Sequence, residues 1–352
     1  MRRTIAAVAV ALMGAAMADG ADLKKGTPEV ESISALAFSP EGVLFIGDAQ
    51  SASLFAVDTG DTKPSGKEDI TVEKIDSMIA DKLGTTSANI LINDVKVNPA
   101  SGNVYLAVTR KGAGGGSLVM KLDRAGKLGE FALKDVPFAS IAIQNLSDKN
   151  KQDAITSLAY VEGKVIVAGL SNEEFSSTLR AIAYPFQEAA KPTSVEFFHG
   201  AHGKFETNSP IRTFVPYKIN GAEHLLAAYT CTPLVRVPLV DLKPGAKIKG
   251  TTIAELGNRN RPLDMIVYTK DKLDYILMAN SARGVMKIPA EPFAKAEGIE
   301  APVKGGGTAG VKFETIKELV GVMQLDRLDS ERALVLIQAD DKSLTLKSIP
   351  LP

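Results

Sequence analysis

The residues of this chain that are best suited to bind a metal lie close together in the sequence. All three histidines and the only cysteine fall between positions 199 and 231. Imidazole nitrogen and thiolate sulfur are ligands that suit copper and zinc. The hypothesis is therefore a copper or zinc site formed by His199, His202 and Cys231. The alternative is that the thiol is a small buried apolar group and the histidines cap a loop.

Four arginines form a second group that could hold a ligand: Arg110, Arg259, Arg261 and Arg283. A guanidinium group can bind a carboxylate or a phosphate through two hydrogen bonds, so this group predicts an acidic small molecule or an acidic protein partner. The alternative is structural. The arginines would then pair with carboxylates of neighbouring elements, at Asp48, Asp264, Asp340 and Asp341.

Short apolar, β-branched runs separated by turn residues must position these groups. Similar runs begin at 33, 92, 155, 211, 263 and 322, so that the copies are 52 to 63 residues apart. Each copy predicts an antiparallel meander of up to four strands, and one segment, 75–83, has the spacing of a short helix. Six such copies predict an all-β fold, a six-bladed β-propeller, and are too many for a β-sandwich.

The two ends of the repeat array predict how the ring closes. The sixth copy has room for only three strands before Pro352, and Lys24 to Ser32 precede the first copy. We expect this N-terminal segment to supply the missing outer strand of the last blade. In the first copy, Ile70 to Ile75 is predicted to be the fourth strand.

A propeller gathers its loops on two faces. The loops from each outer strand to the next inner strand share a face with the loops between second and third strands, and this face surrounds the channel mouth. The predicted strand order places His199, His202, Cys231 and the four arginines on this face. His224 lies beside a turn on the opposite face.

The first repeat resembles those of known propellers. Its strand 33–38, the turn Ser39-Pro-Glu-Gly42, the strand 43–46 and a third strand ending in Val57-Asp58 are similar to NHL-type, strictosidine-synthase-like and gluconolactonase-like six-bladed propellers. The resemblance implies a calcium ion held by channel carboxylates and amides, for which Asn93, Asp94 and Asp264 are the candidates, and a hydrolase or lyase as the alternative function. The further ligands of such a site are not found.

The N-terminus is typical of a bacterial signal peptide. Arg2 and Arg3 precede an apolar stretch, and Ala16-Met17-Ala18 is a small-x-small cleavage site, so residues 1–18 are predicted to be removed and 19–352 to form a single propeller domain in the periplasm or outside the cell. The apolar stretch is too short to span a membrane. Lys+Arg and Asp+Glu number 41 each, which excludes an overall charge that attracts nucleic acid.

These features predict an exported monomer that binds a ligand or partner at its channel mouth. No G-x-S-x-G elbow, haem attachment motif or dinucleotide fingerprint indicates an enzyme. Whether the protein catalyses a reaction is left open.

Overall fold

Six antiparallel sheets surround a central channel in the computed structural model, which describes residues 23–112, 114–188 and 191–352. Each sheet starts with a strand at the channel and continues outward, so the predicted six-bladed β-propeller is confirmed. We number the blades one to six in the chain order of their inner strands. The predicted signal peptide, residues 1–18, lies outside the described residues.

The first three blades are built as follows, from the channel outward. Blade one contains Ala35–Phe38, Val43–Asp48, Ser53–Asp58, Val136–Ala142 and Lys24–Gly26. Blade two contains Ile90–Val97, Val104–Arg110, Gly116–Leu122 and Leu128–Phe131. Blade three contains Ser157–Val161, Lys164–Leu170, Ser177–Ala183 and Thr193–His199, with Lys204–Glu206 and Lys247–Lys249 both paired to the outer strand.

The other three blades follow the same plan. Blade four contains Ile211–Ile219, Ala222–Tyr229, Pro233–Pro238, Thr251–Leu256 and Thr308–Gly310. Blade five contains Pro262–Lys270, Leu273–Asn280, Gly284–Pro289 and Glu314–Ile316. Blade six contains Val322–Arg327, Arg332–Gln338, Leu344–Pro350 and Thr71–Val72. The described residues also form the α-helix Ile75–Lys82 and short 3-10 helices at Ser87–Asn89, Lys151–Asp153, Leu239–Asp241, Glu291–Ala294 and Lys304–Gly306.

The core lies between the blades. Strands in the middle of each sheet are apolar on both faces, as in Val165–Ala168, where all four side chains are buried. A sheet that packs against a neighbour on each side must bury both of its faces, which explains the continuous apolar runs of the sequence. Within the described residues, six apolar clusters form, and each is shared by two neighbouring blades.

The order of the blades around the ring differs from their order along the chain. Contacts between inner strands give the ring order one, two, six, five, four, three and back to one. The chain therefore completes blade two, passes back over blade one and continues to blade three on the other side. Strand Val136–Ala142 makes this passage as an outer strand of blade one, paired with Ser53–Asp58.

The ring is closed by a strand from the N-terminal part of the chain, but the strand is not the predicted one. Thr71–Val72 pairs with Leu344–Pro350, with Val72 opposite Leu346. The segment Ile70 to Ile75 had been predicted to complete blade one. Lys24–Gly26 instead pairs with Val136–Ala142 at the edge of blade one. The physical reason is burial: Val72 joins the apolar cluster between blades two and six, whereas both lysines of Lys24–Gly26 are exposed, as suits an edge strand.

A repeated irregularity shapes the channel wall. The inner strands of blades two, four, five and six each contain a register shift near their start, beside Asn93, Arg212, Leu263 and Met323. Such bulges re-aim the side chains that follow them. Asp94 and Asp264 directly follow two of these bulges and face the channel. No helix among the described residues is long and apolar enough to cross a membrane.

Candidate functional site

His199, His202 and Cys231 converge on one face of the propeller, between blades three and four. His199 ends the outer strand of blade three, and the turn after it carries His202, with the Gly203 backbone N–H donating to the His199 carbonyl at 2.8 Å. Cys231 lies in the turn between the second and third strands of blade four. One ligand atom from each of His199, His202 and Cys231 lies within 4.8 Å of the other two. The strand order that predicted a shared face therefore brings these three side chains together.

The turn that carries Cys231 is held in an unusual conformation. Cys231 and Thr232 both adopt left-handed backbone angles, with φ of 64° and 61°. The left-handed conformation of two consecutive non-glycine residues is unfavourable, and contacts with the surrounding residues must offset its cost. The Cys231 N–H donates to the Asn260 carbonyl at 2.7 Å, and the Thr232 hydroxyl donates to the Gly257 carbonyl at 2.7 Å. The link between blades four and five thus holds the backbone of this turn in place.

The two imidazoles differ in exposure. His199 is 2% exposed, whereas the side chain of His202 is 48% exposed, and their ring centroids are 4.1 Å apart. Nε2 of His199 has no hydrogen-bond partner among the described residues, and Nδ1 contacts a carboxylate oxygen of Glu206 at 3.2 Å. A buried ring nitrogen with no hydrogen bond is costly unless another group satisfies it. A metal ion is one such group.

Glu206 connects the two histidines. Its Oε1 lies 2.5 Å from Nδ1 of His202, and its Oε2 lies 3.2 Å from Nδ1 of His199. Ser209 donates its hydroxyl to Oε2 at 2.7 Å. Burial raises the pKa of the carboxyl, but contacts with the two imidazoles and the Ser209 hydroxyl outweigh the burial and lower the pKa of Glu206 to about 2. The carboxylate is therefore charged and placed to accept protons that the Nδ1 atoms carry, which leaves both Nε2 atoms for a ligand.

A second carboxyl group lies behind the cluster. Glu255 is 1% exposed, and its Oε1 accepts a hydrogen bond from the Gly200 N–H at 2.5 Å. Its Oε2 has no hydrogen-bond partner among the described residues. Burial raises the pKa of Glu255, in spite of the Gly200 hydrogen bond. The donors present fit a soft or borderline metal: two imidazoles, one thiol and nearby negative charge.

Three of the four predicted arginines lie beside this cluster. Arg259 and Arg261 belong to the link whose Asn260 carbonyl holds Cys231. Arg283 packs on Gly257, where a Cβ atom would come within 2.6 Å of the guanidinium carbon, and donates to the Asn258 carbonyl at 3.1 Å. All three side chains are exposed. Burial and, to a smaller extent, the nearby guanidinium of Arg212 lower the pKa of Arg261, while Asp153 opposes the shift.

Arg110 lies apart from the other three. It ends the second strand of blade two, and blade six separates blade two from blade five. None of the four arginines lies within salt-bridge distance of a carboxylate in the described part of the chain. Asp48 accepts hydrogen bonds from its own loop instead, and Asp264 contacts a lysine. The proposed pairing between arginines and aspartates is thus not observed.

The channel holds a buried charge cluster. The Lys96 ammonium lies 3.2 Å from Asp94 and 3.4 Å from Asp264. Asp326 is a third carboxylate beside it, partly buried, and accepts the Val97 N–H at 2.7 Å. Burial opposes the charge of the lysine, but Asp264 and Asp94 outweigh it and raise the pKa of Lys96. Burial, Asp94 and Asp326 raise the pKa of Asp264 to about 7, against the effect of Lys96.

Sequence reasoning found two of these four charged residues and missed Lys96 and Asp326. The signal that could have found them is the strand period of two, because residues two apart share a face. Lys96 follows Asp94 by two positions, and Asp326 follows Gln324 by two positions. Asn93, the third candidate calcium ligand, donates its amide to the Ile33 carbonyl at 2.9 Å and to the Thr109 hydroxyl at 2.8 Å.

The cluster separates two cavities. A cavity of about 40 Å³ on the histidine side is lined by Asn93, Asp94, Asp264 and Arg212, among others. A cavity of about 340 Å³ opens on the opposite face, where Phe38, Tyr160 and Phe214 line the wall. Lys96 and Asp264 contribute to both. Neither cavity is lined by His199, His202 or Cys231.

The fold defines the protein as a six-bladed β-propeller with a His/His/Cys cluster on one rim. No family model matches the chain, and no curated protein matches it. Among solved structures, the PQQ-bound aldose sugar dehydrogenase of Streptomyces coelicolor is 12% identical, with 93% of this chain and 96% of that chain covered and a TM-score of 0.31. Domains 1–2 of Drosophila semaphorin 1b are 9% identical, with 94% and 88% covered and a TM-score of 0.39. The assignment of the fold rests on the sheet topology described above.

Proposed function

We propose that this protein is an exported binding propeller that holds one copper or zinc ion through His199, His202 and Cys231. The observation that carries the proposal is His199, an almost fully buried imidazole whose Nε2 has no hydrogen-bond partner among the described residues and which lies next to a second imidazole and a thiol. A bound cation would satisfy a nitrogen of His199 and offset the nearby negative charge of Glu206 and of a Cys231 thiolate. Because His202 is half exposed, the metal would have access to the solvent.

The arginines beside the cluster support a ligand-binding role for the same rim. Arg259, Arg261 and Arg283 are exposed and have no carboxylate partner among the described residues. Their charge favours an acidic small molecule or an acidic segment of a partner protein. Arg110, on the far side of blade six, would contact only a larger ligand.

The calcium-dependent alternative has weaker support. A gluconolactonase-like hydrolase or lyase would hold its cation at Asn93, Asp94 and Asp264. The ammonium of Lys96 already lies between the two aspartates, at 3.2 and 3.4 Å. A divalent ion at this place would have to displace it against charge repulsion.

Metal analysis of the full chain tests the proposal. The protein is stripped with a chelator, equilibrated separately with Zn(II), with Cu(I) under reducing conditions and with Ca(II), and the retained metal is counted by mass spectrometry. We expect one equivalent of zinc or copper, lost in His199→Ala and Cys231→Ser. His224→Ala is the matched control, because this third histidine is only partly buried and lies beside a hairpin turn on the opposite face. Retention of calcium alone, lost in Asp264→Asn, would instead support the hydrolase.

Export is tested on the same protein. We propose that cleavage after Ala18 gives a mature periplasmic chain beginning at Asp19. N-terminal sequencing of the protein recovered from a periplasmic fraction checks this, and an intact Met1 in the cytoplasmic fraction would contradict it.

A further inference from the structure

We infer that the metal is copper and that the rim cluster exchanges single electrons with an anionic redox partner. This inference rests on the proposed metal site and goes beyond it by naming the metal and its chemistry. Two imidazoles and one thiolate are the donor set of copper electron-transfer centres, in which three strong ligands lie around the ion and a fourth contact is weak or lacking. Zinc, in contrast, fills a fourth position with a strong ligand or a water.

The ligands are held in place by groups that do not bind the metal. Cys231 is fixed by the hydrogen bond from its N–H to Asn260, and the carboxylate of Glu206 contacts Nδ1 of both histidines. A cluster supported in this way keeps nearly the same arrangement in two oxidation states. Electron transfer requires little more than this, because no bond to a substrate has to form.

The surroundings fit electron transfer better than hydrolysis. Both oxygens of Glu206 are engaged, Oε1 by His202 and Oε2 by Ser209 and His199. This carboxylate is therefore not free to take a proton from a metal-bound water. The two channel cavities and the pocket beside Glu206 are not lined by His199, His202 or Cys231, so none of them would hold a substrate against the metal.

The exposed imidazole and the arginines indicate where the electron leaves. The side chain of His202 is 48% exposed, so a partner can contact the imidazole of a metal ligand directly. Arg259 precedes Asn260, whose carbonyl accepts the Cys231 N–H at 2.7 Å. With Arg261 and Arg283 it places positive charge on the blade-five side of the cluster, which attracts negatively charged redox partners.

The step itself is simple. Cu(II) bound by the thiolate and two imidazoles accepts one electron and becomes Cu(I), while the anionic partner, a one-electron carrier, is oxidised by one electron. The reverse step returns the electron to an oxidised carrier. The ligands stay bound throughout, and no proton or leaving group is transferred.

Copper titration of the full-length apoprotein tests the inference. Addition of Cu(II) is expected to give an intense visible thiolate-to-copper charge-transfer band that saturates at one equivalent, is lost in Cys231→Ser and is retained in His224→Ala. Ascorbate should bleach the band, and ferricyanide should restore it over repeated cycles.

The role of the arginines is measured by stopped-flow oxidation of the Cu(I) form. Oxidation by ferricyanide, an anion, should slow about tenfold in the triple variant Arg259→Gln/Arg261→Gln/Arg283→Gln, whereas oxidation by the cation tris(phenanthroline)cobalt(III) should not slow. If the triple substitution slowed oxidation by both reagents equally, the proposal that the redox partner is anionic would be overturned.

The outcomes separate this inference from the metal site itself. One equivalent of zinc or Cu(I) with no charge-transfer band on Cu(II) addition overturns electron transfer but leaves the metal site. Oxidation of the Cys231 thiol on Cu(II) addition, detected by mass spectrometry, likewise overturns electron transfer but leaves the metal site. Failure to retain any of the metals overturns both proposals.

Discussion

Lys96 and Asp264 meet across the channel: the ammonium of Lys96 lies 3.4 Å from the carboxylate of Asp264, although 168 residues separate them in the sequence. They belong to blades two and five, and blade six stands between these blades in the ring. The contact therefore joins the two sides of the channel. Together with Asp94 and Asp326, the pair forms a cluster with three carboxylates and one ammonium.

Removal of the ammonium should strongly destabilise the ring. Lys96→Met leaves the buried Asp94 and Asp264 and the partly buried Asp326 without their cation, and breaking a buried ion pair in this way costs about 3–5 kcal/mol. Chemical denaturation measures the loss. Lys164→Met, at an exposed strand position, is the control and should change the free energy of unfolding by less than about 0.5 kcal/mol. Equal effects of the two substitutions would contradict this account of the channel.

The raised pKa of Asp264 predicts how stability depends on pH. An aspartate whose pKa rises from 3.8 to about 7 on folding binds a proton more readily in the folded state. Its stabilising contribution is present in full below about pH 4 and is lost as the pH rises to about 7. Thermal midpoints between pH 4 and 7 should fall by a few °C more in the wild type than in Asp264→Asn. Asp271→Asn, in an exposed turn, should behave like the wild type.

Glu206 should control metal affinity without binding the metal. Glu206→Gln removes the charge that holds the two Nδ1 atoms, and loss of such a supporting contact lowers metal affinity by about 10–100-fold. Competition with a chromophoric chelator measures the affinity. The charge-transfer band should remain in this variant, in contrast to Cys231→Ser. Glu297→Gln, at an exposed position, is the control and should not change the affinity. If Glu206→Gln also left the metal affinity unchanged, Glu206 would not position the histidines.

The short closing strand should be sensitive on one face only. Val72 is 8% exposed in the cluster between blades two and six, while Thr71 is exposed. Val72→Asp buries an unpaired charge and should destabilise the protein by several kcal/mol. Thr71→Asp, one position away on the other face, should change the free energy of unfolding by about 0.5 kcal/mol or less. Similar values for both would mean that this strand does not close the ring.

Local signals predicted the blades and the grouping of His199, His202 and Cys231. Apolar runs and turns recur in the sequence, and each inner hairpin forms from residues close to one another, so the meanders and the short helix at Ile75–Lys82 could be found without the structure. The convergence of His199 and Cys231 followed from the strand order alone, because loops at the same end of successive strands share a face.

Long-range pairing could not be predicted in the same way. Residues 70–75 are apolar and extended in character, but nothing in them specifies whether their partner is blade one or blade six. Only the packing of Val72 beside Leu346 decides between the two. Lys96 could not be predicted for a different reason: oxygen donors such as Asp94 and Asp264 indicate a metal ion, whereas the chain places its own ammonium between them.

The exchange of outer strands has a consequence for assembly. Blade one needs Val136–Ala142, which comes after blade two in the chain, and blade six needs Thr71–Val72, which comes before it. The hydrogen bond between the Ile70 N–H and the Ser348 hydroxyl bridges 278 residues. Such distant pairings form slowly, because the intervening chain must be ordered first. Neither blade can therefore reach its native state as an isolated segment. Fragments cut between blades should expose unpaired edges and aggregate, even though each contains a complete inner hairpin.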